Sequence, residues 1–438
     1  MKKMEGRATI CLLLVLVMLA GLIYFVVRLE VNGPEWSSYY ANTHIFNNGT
    51  LIAGEVKDRD GMTLLKYDTD GAHYTGTEYE RRAESVILGD VNYSIPTGVN
   101  MVFRPELINY NFVTGTEGIF GNKGGKVTLS IDKEVNETAY AALGNREGFV
   151  CVYNYVSGDI ICLVSTPTVD PQDPNAAESA ASGAYINKVF SSRFAPGSTF
   201  KVLTSLAAIE KLSGMSDWTF TCTGSHDLGG NKITCPYAHG TMDFEGALAN
   251  SCNCAFGELA AELGSKTMKS YVKKTGLTSS YDINGIETAM GKFEFDSEPV
   301  NLGWAGIGQY NDQANPMSLL VFMGSIAGGG TSAEPSIIKG GSTGWVDLVD
   351  SSSARKLDNM LRNNVLSNYG DENFPGLELR AKSGSAETGD GNATNAWFLG
   401  YSGDYAFVVM VEHGGAGATV AGPIANTVLQ KIMEEESN

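Results

Sequence analysis

The sequence predicts an α+β domain built on one antiparallel sheet, reached through a β-rich segment and a single N-terminal membrane-spanning helix. Three observations predict it. Short apolar runs open and close the larger part of the chain, with helical patterns between them. A polar, Gly-rich stretch with brief β-like runs precedes that part. Ala8 to Val27 carries no charged residue, and about 20 apolar residues suffice to cross a bilayer as a helix.

The first element is this apolar segment. Lys2, Lys3 and Arg7 precede it, and after Arg28 no further Lys or Arg appears until Lys57. The positive-inside rule places the N-terminus in the cytoplasm and the rest outside, as a single-pass protein. A cleaved signal would have a shorter apolar core ending in a small-x-small site; Phe25-Val26-Val27-Arg28 offers none, so the segment reads as an uncleaved anchor. Cys11 follows Ile10 inside the apolar run, the wrong place for a lipoprotein attachment residue.

The division expected is 1–28 for tail and anchor, 29–145 for the β-rich segment, and 146–438 for the main domain. Within the last, Phe149 to Tyr153 and Ile160 to Val164 flank Ser157-Gly158-Asp159 and read as a β-hairpin. Asp173 to Ser182 reads as a surface loop. Phe200, Leu203 and Ala207 give one buried face to a helix after Pro196-Gly197; Ala247 to Leu263 and Pro316 to Ile326 read as further helices. Leu379 to Ala386, Trp397 to Tyr401 and Tyr405 to Val411 read as three strands, and Gly422 to Glu435 as a closing helix. A composition of 43% hydrophobic and 18% charged residues supports a packed core, and a net charge of −18 argues against a nucleic-acid partner.

Three short motifs carry chemistry. In Pro196-Gly197-Ser198-Thr199-Phe200-Lys201 the helix starts beside Ser198, so Lys201 shares its face and can reach the hydroxyl: a serine nucleophile with a lysine base. That role needs a lysine pKa well below about 10.4. Ser251-Cys252-Asn253 sets a hydroxyl and an amide two residues apart, able to relay a proton and hold a peptide. Lys382-Ser383-Gly384-Ser385 sets a cation and hydroxyls on a strand, suited to a carboxylate, with Gly384 admitting a substrate backbone. Each motif alone occurs by chance in many proteins.

Together and in this order, S-x-x-K, S-x-N and K-S-G resemble the signature of penicillin-binding proteins and class A β-lactamases. The wider sequence resembles class B penicillin-binding proteins, the peptidoglycan D,D-transpeptidases of division and elongation. Gly148 to Pro171 is similar to that family's entry hairpin. Ala305-Gly306-Ile307-Gly308-Gln309 with Asn315-Pro316 resembles its Gly-Gln-Gly region, Trp397 to Tyr401 the strand after the third motif, and Gly54 to Leu64 the opening of its N-terminal pedestal. Four departures stand out: Ser383 for the commoner Thr, Ala53 for a pedestal Arg, Tyr310 for the last Gly of Gly-Gln-Gly, and Asn395 near a position often occupied by His.

The resemblance implies the penicillin-binding serine transpeptidase fold: an antiparallel sheet flanked by helices, an all-helical subdomain and a β-rich pedestal. It implies that Ser198 is acylated by the D-Ala-D-Ala end of a stem peptide, with Lys201 as base. Ser251 and Asn253 would relay the proton and hold the donor. Lys382 and Ser383 would bind the terminal carboxylate and help depress Lys201, and the backbone N–H groups of Ser198 and Ser385 would form the oxyanion hole. No cofactor or metal is required. The implied partners are lipid II-derived stem peptides, β-lactams as covalent inhibitors, and a SEDS-type glycosyltransferase with divisome or elongasome proteins in the bacterial cytoplasmic membrane. The alternatives are a membrane-anchored serine β-lactamase and a non-catalytic β-lactam-binding scaffold. Anchor and pedestal favour the synthetic enzyme; three intact motifs favour an active one.

Seven cysteines are too few for a disulfide scaffold. Cys222 and Cys235 read as a disulfide, as reduced packing thiols, or, with His226 and His239, as two C-x3-H pairs around a structural zinc. That spacing is no common zinc framework, and no metal ligand is assigned. Cys252 and Cys254 read as small apolar residues, and His413 as a loop residue.

Overall fold

The structure is a computed structural model that describes residues 2–39, 42, 46–47, 50–51, 54–68, 70–116, 124–342, 344–389 and 394–436. Ala53, the departure noted in the pedestal motif, lies outside the described residues.

Helix α1 (Lys2–Ser37) is one helix of 36 residues. Its side chains from Met4 to Arg28 are all exposed, so none of the described residues covers the apolar run. A helix of that composition is long enough to cross a membrane.

Strands β1 (Gly54–Lys57), β2 (Thr63–Asp68), β3 (Gly71–Tyr74) and β4 (Lys126–Thr128) form a small sheet in the order β3-β2-β1-β4. Helix α2 (Lys133–Leu143) follows, its N-terminus capped by the Asp132 carboxylate, which accepts from the Val135 N–H. Although it precedes residue 146, α2 packs on the main sheet: Val135, Ala139 and Leu143 share a core with Val150 and Val164. The expected boundary near 145 therefore separates a helix from the sheet it covers.

Strands β5 (Gly148–Asn154) and β6 (Ile160–Thr166) form the expected hairpin. A 3-10 turn, Gly197–Phe200, leads into the buried helix α3 (Lys201–Lys211). Two hairpin-like pairs come next, which the sequence reading left unassigned: β7 (Thr219–Cys222) pairs with β10 (Gly240–Asp243), and β8 (Ser225–Leu228) with β9 (Asn231–Thr234). Helices α4 (Phe244–Ala249), α5 (Asn253–Lys274), α6 (Pro316–Ala327) and α7 (Ser351–Asn364) fill the middle. The chain closes with β11 (Arg380–Glu387), β12 (Thr394–Ser402), β13 (Tyr405–Val411) and α8 (Gly417–Glu436).

The main sheet runs β11-β12-β13-β5-β6, antiparallel throughout, so the two ends of the domain do share one sheet. Its strands read as continuous apolar runs because both faces are covered. On one face Phe149, Cys151, Val408 and Met410 meet α6; on the other Val150, Val152, Phe407 and Val409 meet α2 and α8. Each fully buried side chain of this kind contributes roughly 1.5–3 kcal/mol.

Two expectations need correction. The helix expected over Ala247 to Leu263 is two helices, because the chain breaks at Asn250 to Cys252, where Ser251 adopts φ +51°. The closing helix begins at Gly417 rather than Gly422, and Pro423 is accommodated within it.

Candidate active site

The three motifs arrive on three different elements. Ser198 sits in the 3-10 turn that opens α3, partly exposed, while Lys201 one turn later is fully buried. Ser251 and Asn253 form the break between α4 and α5. Lys382 to Ser385 lie on β11, the edge strand nearest that turn.

Close approach of backbones fixes this arrangement. Gly197 adopts φ +54°, and a Cβ there would lie 2.9 Å from Ala386 Cβ; a Cβ on Gly384 would lie 2.9 Å from Thr199 Cγ2. The edge strand and the nucleophile turn thus touch where neither tolerates a side chain. The Gly197 N–H donates to the Gly308 carbonyl at 2.9 Å, and Trp397 Nε1 donates to the Ala195 carbonyl at 3.1 Å. The Gly306 to Gln309 region and β12 therefore both brace the turn. Tyr310, where the family pattern has Gly, adopts φ +65°. A side chain in that conformation costs about 1–2 kcal/mol.

Four oxygens surround Lys201 Nζ: the Ser251 carbonyl and Asn253 Oδ1 at 2.7 Å each, Ser198 Oγ at 3.0 Å and Ser251 Oγ at 3.1 Å. An ammonium carries three protons and no lone pair; a neutral amine carries two and one. The two shortest contacts are to oxygens that only accept. With the amine's two protons given to them, its lone pair remains for a hydroxyl. Ser251 Oγ also lies 3.1 Å from Lys382 Nζ, so one hydroxyl joins both lysines.

Burial lowers Lys201 to about 7, opposed by the neighbouring thiols of Cys235, Cys252 and Cys254. The sequence reading gave Lys382 a share in depressing Lys201. In the structure burial is the largest cause for Lys201, and Lys382 is itself held well below its usual value by burial and then by the charge of Lys201, a repulsion that like charges share.

Residues 148–433 match the family model for the penicillin binding protein transpeptidase domain. The chain belongs to that family. Among curated proteins it is similar to peptidoglycan D,D-transpeptidase PbpA of Mycobacterium tuberculosis, 25% identical over 378 residues, covering 74% of this chain and 75% of that protein. Stage V sporulation protein D of Bacillus subtilis is 27% identical over 286 residues, 62% of this chain and 42% of that protein. Among solved structures, penicillin-binding protein A from M. tuberculosis as a penicillin G acyl-enzyme complex matches with TM-score 0.75 and 22% identity, over 87% of this chain and 99% of that one.

In this penicillin-binding protein five of the expected site residues converge: Ser198, Lys201, Ser251, Asn253 and Lys382. Ser383 is held differently. Its Oγ lies 3.1 Å from the Tyr369 hydroxyl, and its N–H donates to the same oxygen at 2.9 Å. Gly384 packs on Thr199, and Ser385 is exposed beside the Ser198 turn. Tyr369 escaped the sequence reading, since only the π-helical turn Val365–Tyr369 brings it to β11. Cys222 and Cys235 are free thiols, so the disulfide is not formed. Cys235 Sγ instead lies 3.7 Å from Cys252 Sγ and 3.5 Å from Cys254 Sγ.

Proposed function

We propose that this penicillin-binding protein is a peptidoglycan D,D-transpeptidase in which Ser198 is the nucleophile and Lys201 its base. The observation that carries the reading is Lys201 Nζ, buried, lowered to about 7, and 3.0 Å from Ser198 Oγ.

Ser198 Oγ attacks the carbonyl between the two D-alanines, and its proton passes to Lys201. Ser251 Oγ, in reach of both lysines, relays a proton to the leaving amine, and D-Ala departs. Asn253 orients the donor and Lys201. Lys382 and Ser383 receive the terminal carboxylate, and the N–H groups of Ser198 and Ser385 hold the oxyanion. Losing such a donor costs about 2.7–4 kcal/mol in other enzymes. A neighbouring stem-peptide amine then takes the acyl group from Ser198 and regenerates the hydroxyl. β-Lactams acylate the same serine.

The basic residues Lys2, Lys3 and Arg7, ahead of the apolar run of α1, favour an N-terminus on the inner side of the cytoplasmic membrane, with 29–438 outside. We assign 29 to about 131 to the pedestal and the remainder to the transpeptidase domain, moving α2 with the sheet it covers. By family resemblance the glycan strands come from a SEDS-type glycosyltransferase acting with divisome or elongasome proteins.

The test is D-Ala release from a D-Ala-D-Ala pentapeptide by the full-length protein in detergent, with and without an acceptor amine. Cross-linked or amine-exchanged product is expected. Rapid β-lactam hydrolysis without such product would make the protein a β-lactamase, and neither activity in the folded protein would make it a scaffold.

A further inference from the structure

Four metal-ligating side chains meet beside the Ser251–Asn253 turn. Cys222 ends β7, Cys235 follows β9, His239 precedes β10, and Cys252 is the N-cap of α5. Each offers one ligand atom, and all four atoms lie within 4.8 Å of one another.

The spacing suits a four-coordinate ion. Zinc binds thiolate sulfur at about 2.3 Å and imidazole nitrogen at about 2.0–2.1 Å, so neighbouring ligand atoms sit about 3.8 Å apart for two sulfurs and about 3.6 Å for sulfur and nitrogen. Cys235 Sγ to Cys252 Sγ is 3.7 Å, and His239 Nδ1 to Cys222 Sγ is 3.4 Å. The backbone supports sulfur as an acceptor: Cys254 N–H donates to Cys235 Sγ and Ala255 N–H to Cys252 Sγ, each at 3.4 Å. His226, the other histidine of the C-x3-H pairs, pairs instead with Glu258 Oε2 at 2.8 Å, and Cys252 takes its place.

We propose that Cys222, Cys235, His239 and Cys252 bind one zinc ion that fixes the Ser251–Asn253 turn against the hairpins of residues 219–243. Three thiols and one imidazole in a tetrahedron select zinc over harder cations. Binding displaces the three thiol protons to solvent. Cys252 lies between the two residues that hold Lys201, and Asn253 Nδ2 donates to the Thr234 carbonyl, next to Cys235, at 2.9 Å. The ion would thus clamp both ends of the same contact. Cys222, Cys235 and His239 are positioning residues; they do not touch the reacting atoms.

The metal content is independent of the transpeptidase reading, whereas the acylation arm of the test rests on it. Full-length protein, purified in detergent without chelator or added metal, is assayed for metals by mass spectrometry and for acylation rate with a fluorescent penicillin. About one zinc per chain is expected in wild type, Ser198→Ala and Cys11→Ser, and less than about a tenth of that in Cys222→Ser and Cys235→Ser. Removing the metal from wild type should slow acylation by about tenfold or more, and added Zn2+ should restore it. Cobalt in its place should show the absorption bands of a tetrahedral thiolate site, lost in Cys222→Ser, which a purely structural lesion would not produce. Wild type that neither carries nor takes up zinc, or that holds a disulfide among these cysteines while acylating at full rate, overturns the site. Unchanged acylation after complete removal overturns the positioning role.

Discussion

At the scale of single residues, the proposed mechanism depends on keeping one lysine neutral. Below about pH 7 Lys201 is an ammonium with no lone pair for Ser198, and above it the base is free. The acylation rate should therefore rise with pH, about tenfold per unit, and level off above an apparent pKa near 7; a pH–rate profile with a chromogenic β-lactam measures it. Asn253→Asp would place a carboxylate 2.7 Å from Nζ and favour the charged form. Its rising limb should move up by about 1–3 units. Ser251→Ala removes the hydroxyl shared by the lysines and should slow acylation by about 10²–10⁴-fold while the protein stays folded. These residues were legible in sequence because a spacing of three places serine and lysine on one helix face. What sequence could not convey was the pairing of all four oxygens around Nζ, which depends on Ser251 leaving the helix at φ +51°. An apolar stretch on both sides of it reads as one uninterrupted helix.

At the scale of elements, the site is a junction of an edge strand, a turn and a helix break. Gly197→Ala tests that junction. The new Cβ meets Ala386 from a backbone conformation that disfavours side chains. It should cost about 2–5 kcal/mol of stability and slow acylation more than Lys201→Arg perturbs folding; thermal melts beside labelling separate the two effects. Strand identities were legible since alternate residues of β5 and β13 are apolar toward both faces, leaving few polar interruptions to confuse the reading. The hairpins of residues 219–243 were not, because their strands are only 4 residues long with mostly exposed side chains. Tyr369 was equally hidden, its approach to Ser383 set by a π-helical turn that no periodicity announces.

At the scale of the whole molecule, the segment that precedes the transpeptidase domain is joined to it by a bidentate ion pair. Arg81 donates to both carboxylate oxygens of Asp170, through Nε at 2.8 Å and Nη2 at 2.5 Å, with both side chains largely buried. Arg81→Ala leaves a poorly solvated carboxylate and should lower stability by about 3–5 kcal/mol, read from denaturant unfolding. The exposed apolar length of α1 predicts that removing residues 1–28 yields a protein that no longer needs detergent and still reacts with penicillin.

The central claim, that Ser198 is the acylated nucleophile, is tested most directly by intact-mass analysis of full-length protein after exposure to penicillin G. Wild type should gain the mass of one penicillin G, hold it for many turnover times of a hydrolase, and carry it on the peptide containing Ser198. Ser198→Ala, folded to the same melting temperature, should gain nothing. An adduct on another residue, or equal labelling of Ser198→Ala, would contradict the account.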